Sequence, residues 1–67
     1  MVKLNIEVTE GALAALRKDA DGFARELRIV GAAKWYEMRM VSQERAAEIA
    51  GLTRAEFIDV LGRLGIP

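Results

Sequence analysis

Residues 2–8 alternate strictly between apolar and polar side chains, and this pattern constrains the fold more than any other. The apolar positions are Val2, Leu4, Ile6 and Val8, and the polar ones are Lys3, Asn5 and Glu7. This period of two is typical of a half-buried β-strand, yet no later segment offers a second strand. An unpaired strand exposes a row of backbone donors and acceptors. We therefore predict that it pairs with the same strand of a second copy, antiparallel about a two-fold axis.

The chain is short and lacks the usual stabilisers of a small domain. It has 67 residues, and a chain of this size buries only roughly 60% of its unfolded surface. It has no Cys and no His, which excludes disulfides and the common zinc sites. Because 52% of its residues are hydrophobic, a disordered chain is excluded too. We predict a single domain over residues 1–67 that forms a homodimer.

The same absences weigh against catalysis. Without His no unperturbed side chain titrates near neutral pH, and without Cys there is no thiolate nucleophile. We predict that the protein is not an enzyme and needs no metal or cofactor. Its apolar runs are shorter than the ~20 residues that span a bilayer, and its start alternates rather than running apolar. We therefore predict a cytoplasmic protein with no membrane contact.

Two helices are predicted between the strand and residue 41. Thr9 caps a short helix over about 10–18, and Asp21 caps a longer one over about 22–39. The longer helix has a wide apolar arc and a narrow one, so we expect its own domain on one side and a second subunit on the other. The wide arc holds Phe23, Ala24, Leu27, Val30, Trp35 and Met38, and the narrow arc holds Ile29, Ala33, Tyr36 and Met40. Residues 2–39 would thus form a ribbon–helix–helix-like dimerising unit.

Residues 42–64 have the spacing of a helix–turn–helix. Ser42 caps a helix over 43–50, Gly51 supplies the turn, and Thr53 caps a second helix over 54–64. Glu56 stands at capping-box spacing from Thr53, and Ala47 is small where the two helices cross. The predicted fold class is therefore mainly α, with an N-terminal β-strand paired across a homodimer and a helix–turn–helix after it.

Either half of such a fold can contact DNA. The candidate DNA-binding residues are Lys3 and Asn5 on the ribbon, Arg25 and Arg28 on the long helix, and Arg54 on the last helix. Lys and Asn suit guanine and adenine edges. The alternation is equally consistent with a dimer-forming strand whose outer face is only solvated. The arginines of the long helix are equally consistent with a solvated ridge or a docking strip for an acidic partner.

Charge does not favour nucleic acid. The formal net charge is zero, and residues 42–67 carry three basic against four acidic side chains, which phosphate repels more than it attracts. Protein contact is the other use of the exposed surface, and its candidate residues are Trp35, Tyr36, Ile58 and Leu61. A protein-interaction or dimerisation module that binds no DNA stays open as the alternative.

The C-terminal half resembles a known family. Residues 41–57 read VSQERAAEIAGLTRAEF, the aromatic pair Trp35-Tyr36 precedes them, and Gly65-Ile66-Pro67 follows. This segment resembles a prokaryotic family of small uncharacterised proteins that are regarded as antitoxin-like and are often encoded beside PIN-domain toxins. Residues 23–28, FARELR, are similar to the family as well.

The resemblance implies an antitoxin that neutralises a PIN-type RNase toxin and represses its own operon as a dimer bound to operator DNA. We therefore expect an antitoxin-like, small DNA-binding regulator of a toxin–antitoxin operon, with a PIN-domain toxin as its protein partner.

Overall fold

The computed structural model describes residues 1–67 and contains four helices, named here in chain order. They are α1 (Glu10–Leu16), α2 (Ala20–Glu37), α3 (Gln43–Ala50) and α4 (Arg54–Arg63). The long α2 is the centre of the arrangement, since it contacts both α1 and α3, and α4 packs on α3. No helix has the length and apolarity that crossing a membrane requires.

Each helix begins at a short polar side chain that accepts a hydrogen bond from a backbone N–H three residues later. These N-caps are Thr9, Asp19, Ser42 and Thr53. The predicted caps of α1, α3 and α4 are confirmed, but Asp19 replaces the predicted Asp21 at the start of α2. Asp21 lies instead in the first turn of α2, where a carboxylate interacts favourably with the helix dipole. The helix therefore begins two residues earlier than predicted.

The core is built mostly from alanine. Two alanines of α2 and three of α3 are buried together with two larger side chains of α4: Ala32, Ala33, Ala46, Ala47, Ala50, Phe57 and Leu61. Short side chains on both helices allow the backbones of α2 and α3 to approach closely. Half-buried aliphatic and aromatic side chains surround this contact, among them Ile29, Tyr36 and Leu52.

The predicted N-terminal strand is wrong. Residues 1–9 form neither helix nor strand, and no backbone group of residues 1–8 makes a hydrogen bond. The side chains of Val2 and Leu4 are 86% and 80% exposed. A strand is stabilised by the hydrogen bonds and side chains of its neighbour, and this chain contains no second strand. The ribbon–helix–helix arrangement, and the homodimer built on paired strands, are therefore not supported.

The carboxylate of Glu56 completes the cap of α4. Its Oε1 accepts a hydrogen bond from the backbone N–H of Thr53 at 2.8 Å, while Thr53 Oγ1 accepts one from the N–H of Glu56 at 3.2 Å. The predicted capping box is thus confirmed. The bond from the backbone of Thr53 and, after it, the contact with the Thr53 side chain hold the pKa of Glu56 below its ordinary value of 4.5.

We expect the substitution Glu56→Gln to remove part of the acid sensitivity of the fold. A carboxyl group whose pKa is lower in the folded chain stabilises it above the unfolded pKa, and this stabilisation is lost as pH falls below 4.5. Gln keeps an acceptor for Thr53 but does not titrate. Urea unfolding at several pH values should therefore show the wild type losing stability more steeply than the variant below 4.5.

The matched control is Glu44→Gln, at an exposed carboxylate in the first turn of α3 that makes no hydrogen bond or ion pair. Parallel pH profiles for the wild type and Glu56→Gln would contradict the role given to this cap.

Candidate nucleic-acid and partner interface

The turn between α3 and α4 sets the direction in which α4 leaves the core. Gly51 has a φ of +71° and its N–H donates to the carbonyl of Glu48 at 3.1 Å, while Leu52 N–H donates to Ala47 at 3.0 Å. This left-handed conformation is the common glycine ending of a helix. The first turn of α4, with Arg54 and Ala55, is consequently exposed to solvent.

Arg28 is bonded within the fold rather than free for DNA. Its Nε donates to the carbonyl of Ile49 at 2.8 Å, and its Nη2 lies 3.5 Å from the carbonyl of Glu48. The guanidinium satisfies the carbonyl of Ile49 at the end of α3, where carbonyls lack partners within the helix, and meets the negative end of the helix dipole. A Cβ on Gly51 would lie 3.2 Å from both Nη atoms of Arg28. The structure thus assigns Arg28 to the end of α3.

Arg54 is held at the opposite end of α3. Its Nε donates to Gln43 Oε1 at 2.9 Å. A guanidinium has five N–H donors, and neither Nη of Arg54 makes a bond in the fold. Because α3 has eight residues, its length of about 12 Å separates the bonded groups of Arg28 and Arg54. The two arginines therefore do not form one basic patch.

The other predicted DNA-binding residues are exposed and without contacts. Lys3 and Asn5 lie in the N-terminal segment, so the ribbon that was expected to present them is absent. Arg25 is exposed on α2 and makes no hydrogen bond or ion pair. The five predicted residues thus lie on three separate parts of the chain.

The four predicted partner-binding residues divide into exposed and buried ones. Trp35 and Ile58 are 44% and 49% exposed. Tyr36 is half-buried and packs edge-on against Phe57, with the ring centroids 6.1 Å apart and the planes at 85°. Leu61 is only 4% exposed, so its prediction as a partner contact is corrected: it belongs to the core.

A larger apolar surface lies outside the predicted residues. In addition to the N-terminal segment, α2 exposes large hydrophobic side chains on its outer face, among them Leu27 and Val30, and Met38 continues this face at the C-cap of the helix. A concavity of about 240 Å³ between α1 and α2 is lined by four apolar residues and one acid: Leu16, Phe23, Leu27, Val30 and Glu26. The wide apolar arc in the sequence of α2 indicates this surface, because the core leaves the side chains of that arc uncovered.

A second, more polar groove lies beside the helix–turn–helix. It has a volume of about 580 Å³ and runs between the end of α2 and the C-terminus, where Arg39, Met40 and Ile66 are among its lining residues. No group of three or more acidic side chains lies close enough together to hold a metal ion. The surface offers exposed apolar side chains and charged groups of both signs.

We expect Arg28→Ala to destabilise the fold and Arg25→Ala to leave it unchanged. Arg28→Ala removes a charged hydrogen bond to the end of α3. Such a bond is worth about 1 kcal/mol at a site exposed to water. Arg25 lies on the same helix and makes no bond, so its removal should change the free energy of unfolding by less than about 0.5 kcal/mol. Urea unfolding of both variants is the measurement. Equal effects would contradict the assignment of Arg28 to the end of α3.

Comparison with known proteins gives the relationship of the chain. A UPF0175 protein of Aeropyrum pernix is 38% identical over 65 residues, which cover 97% of this chain and 68% of the relative. No solved structure matches the chain. The uncharacterised protein family UPF0175 matches residues 1–67. This chain therefore belongs to the UPF0175 family.

Proposed function

We propose that this protein is an antitoxin-like regulator whose main activity is to bind a protein partner, a toxin of the PIN-type RNase class. The observation that carries the proposal is the exposed apolar segment at the N-terminus. Val2, Leu4, Ile6 and Val8 are 86%, 80%, 63% and 44% exposed, and the backbone around them makes no hydrogen bonds. Such a surface on so small a chain is typical of a binding segment.

The physical chemistry of this segment favours a protein as its ligand. Four aliphatic side chains give it apolar area to bury, and burial is favourable at about 25 cal/mol per Å². The polar residues between them, Lys3, Asn5 and Glu7, carry no net charge together, so the segment offers little attraction for phosphate. A segment that becomes ordered on binding loses conformational entropy, which lowers the affinity per unit of buried area. We therefore expect the segment to bind in an apolar groove of its partner.

The choice of toxin rests on the antitoxin-like sequence pattern of residues 41–57 and on membership of the family. The test is co-expression with a PIN-type RNase of the same organism, beginning with the product of the adjacent gene. We expect the two proteins to co-purify and the growth defect caused by the RNase to be relieved.

The double substitution Leu4→Asp and Ile6→Asp should abolish co-purification. It should not lower the free energy of unfolding, because both side chains are exposed and make no contact with the core. The matched control is Asn5→Asp, which adds a negative charge to the same segment but removes no apolar area. Unchanged co-purification of the double variant would contradict the role of the segment.

DNA binding by the helix–turn–helix is a second activity, favoured by the geometry of Arg54. Gln43 accepts a hydrogen bond from Nε of Arg54 and so holds the arginine side chain, while both Nη groups of Arg54 stay free at the first turn of α4. Recognition helices contact base edges with the residues of this turn, and an arginine can bind guanine O6 and N7 with two donors. The neighbouring Glu56 and Asp59 limit the attraction for phosphate, although Asp59 is paired with Arg63 at 3.0 Å.

Gel-shift titration against the upstream region of the gene tests this activity. We expect Arg54→Ala to weaken binding about tenfold, the scale of one bidentate base contact. Arg63→Ala is the matched control, since it removes an arginine from the far end of the same helix. The absence of any shift at low salt would leave the protein-binding module that does not bind DNA as the remaining function.

A further inference from the structure

The outer face of α2 carries a stripe of residues whose spacing is symmetric about one glycine. Leu27 and Trp35 stand four residues before and after Gly31, and Ala24 and Met38 stand seven residues before and after it. Spacings of three and four place all five on one side of a helix. Leu27 and Trp35 are each 44% exposed, and Met38 is 57% exposed. We call these five residues the α2 stripe.

We propose that the α2 stripe is the interface of a homodimer, in which two copies of α2 pack antiparallel about a two-fold axis at Gly31. The proposal does not depend on the function proposed above or on the N-terminal segment. In this register each residue meets the one equally far from Gly31 in the second copy. Leu27 packs beside Trp35 of the second copy, and the small Ala24 receives Met38.

Gly31 suits the crossing point because it adds no side chain between the helices. The place of its missing Cβ is 3.7 Å from the ring of Trp35, so Trp35 lies back along its own helix beside the glycine. A two-fold axis at this position brings the two Gly31 residues together and places one Trp35 ring on each side of them. A parallel arrangement would instead place Trp35 against Trp35 and Ala24 against Ala24, which leaves the large and small side chains unmatched.

The charges beside the α2 stripe are compatible with the same register. Lys34 Nζ bonds its own Glu37 Oε1 at 2.9 Å. Lys34 lies three residues after Gly31 and so flanks the α2 stripe, and its charge is already paired within its own chain. The formal net charge of zero also means that two copies do not repel each other.

The outer face of α2 offers a long surface to a second copy. A stable interface of standard size buries about 800 Å² on each partner, and the chain exposes 5591 Å². α2 has 18 residues, so its outer face is about 27 Å long, and the apolar concavity of Leu16, Phe23 and Val30 lies beside it. A second copy would cover the part of α2 that the core of its own chain leaves exposed.

Sedimentation of the full chain over a range of concentrations gives the first test, and its single tryptophan gives an independent one. We expect a monomer–dimer equilibrium, with the Trp35 emission shifting to the blue as the dimer forms. Leu27→Glu should abolish both changes while the helical circular dichroism is retained. The matched control is Leu64→Glu, which makes the same change at a similarly exposed leucine, the C-cap of α4, 49% exposed, and should still dimerise.

Because the chain has no cysteine, a crosslink through one introduced cysteine tests the register. A residue on a two-fold axis meets its own copy, so Gly31→Cys should give a disulfide-linked dimer under mild oxidation, whereas Leu64→Cys should not. A chain that sediments as a monomer at every concentration would overturn the proposal. So would a dimer that survives Leu27→Glu or that fails to crosslink through Gly31→Cys.

Discussion

The rest of the structure depends on the packing of α2 against α3 through alanine. The contact joins Ala32 and Ala33 to Ala46, Ala47 and Ala50, all of them buried. Helix axes lie 8–10 Å apart according to the side chains between them, and alanine favours the short end of that range. The close approach brings Arg28 within 2.8 Å of the carbonyl of Ile49 and lets Tyr36 pack edge-on against Phe57. A larger side chain at any of these alanines would separate the helices and weaken both contacts.

An alanine core also explains why so much apolar surface remains outside. Phe57 and Leu61 are the only large side chains among the seven buried residues, and alanine contributes little area to hydrophobic stabilisation. Most of the exposed large apolar side chains lie on the N-terminal segment and on the outer face of α2. Since α2 and α3 cannot take larger side chains between them, the remaining apolar surface is available for contacts with other chains.

The sequence predicts the local features well and the long-range ones poorly. The caps at Ser42 and Thr53, the capping box and the turn at Gly51 follow from residues a few positions apart, and all are present. The strand fails because its alternation describes one element and says nothing about a neighbour. Leu61 is predicted as a partner contact but is buried. Phe57, Val60 and Leu61 lie on adjoining rows of α4, and the crossing of α4 over α3 decides which of these rows faces the core. The bond between Arg28 and the end of α3 joins residues 21 positions apart, and no local pattern indicates it.

The basic side chains of the helix–turn–helix are largely occupied within it. Arg45 pairs with Glu48 at 3.0 Å, Arg63 with Asp59 at 3.0 Å, and Arg54 with Gln43 at 2.9 Å. Exposed pairs of this kind contribute little stability, but they leave little uncompensated charge for a phosphate backbone. Arg54 alone keeps both Nη groups free, because its partner is a neutral amide that accepts from Nε. Any base contact made by α4 therefore depends on this one guanidinium, whereas apolar contact can use the N-terminal segment and the outer face of α2 together.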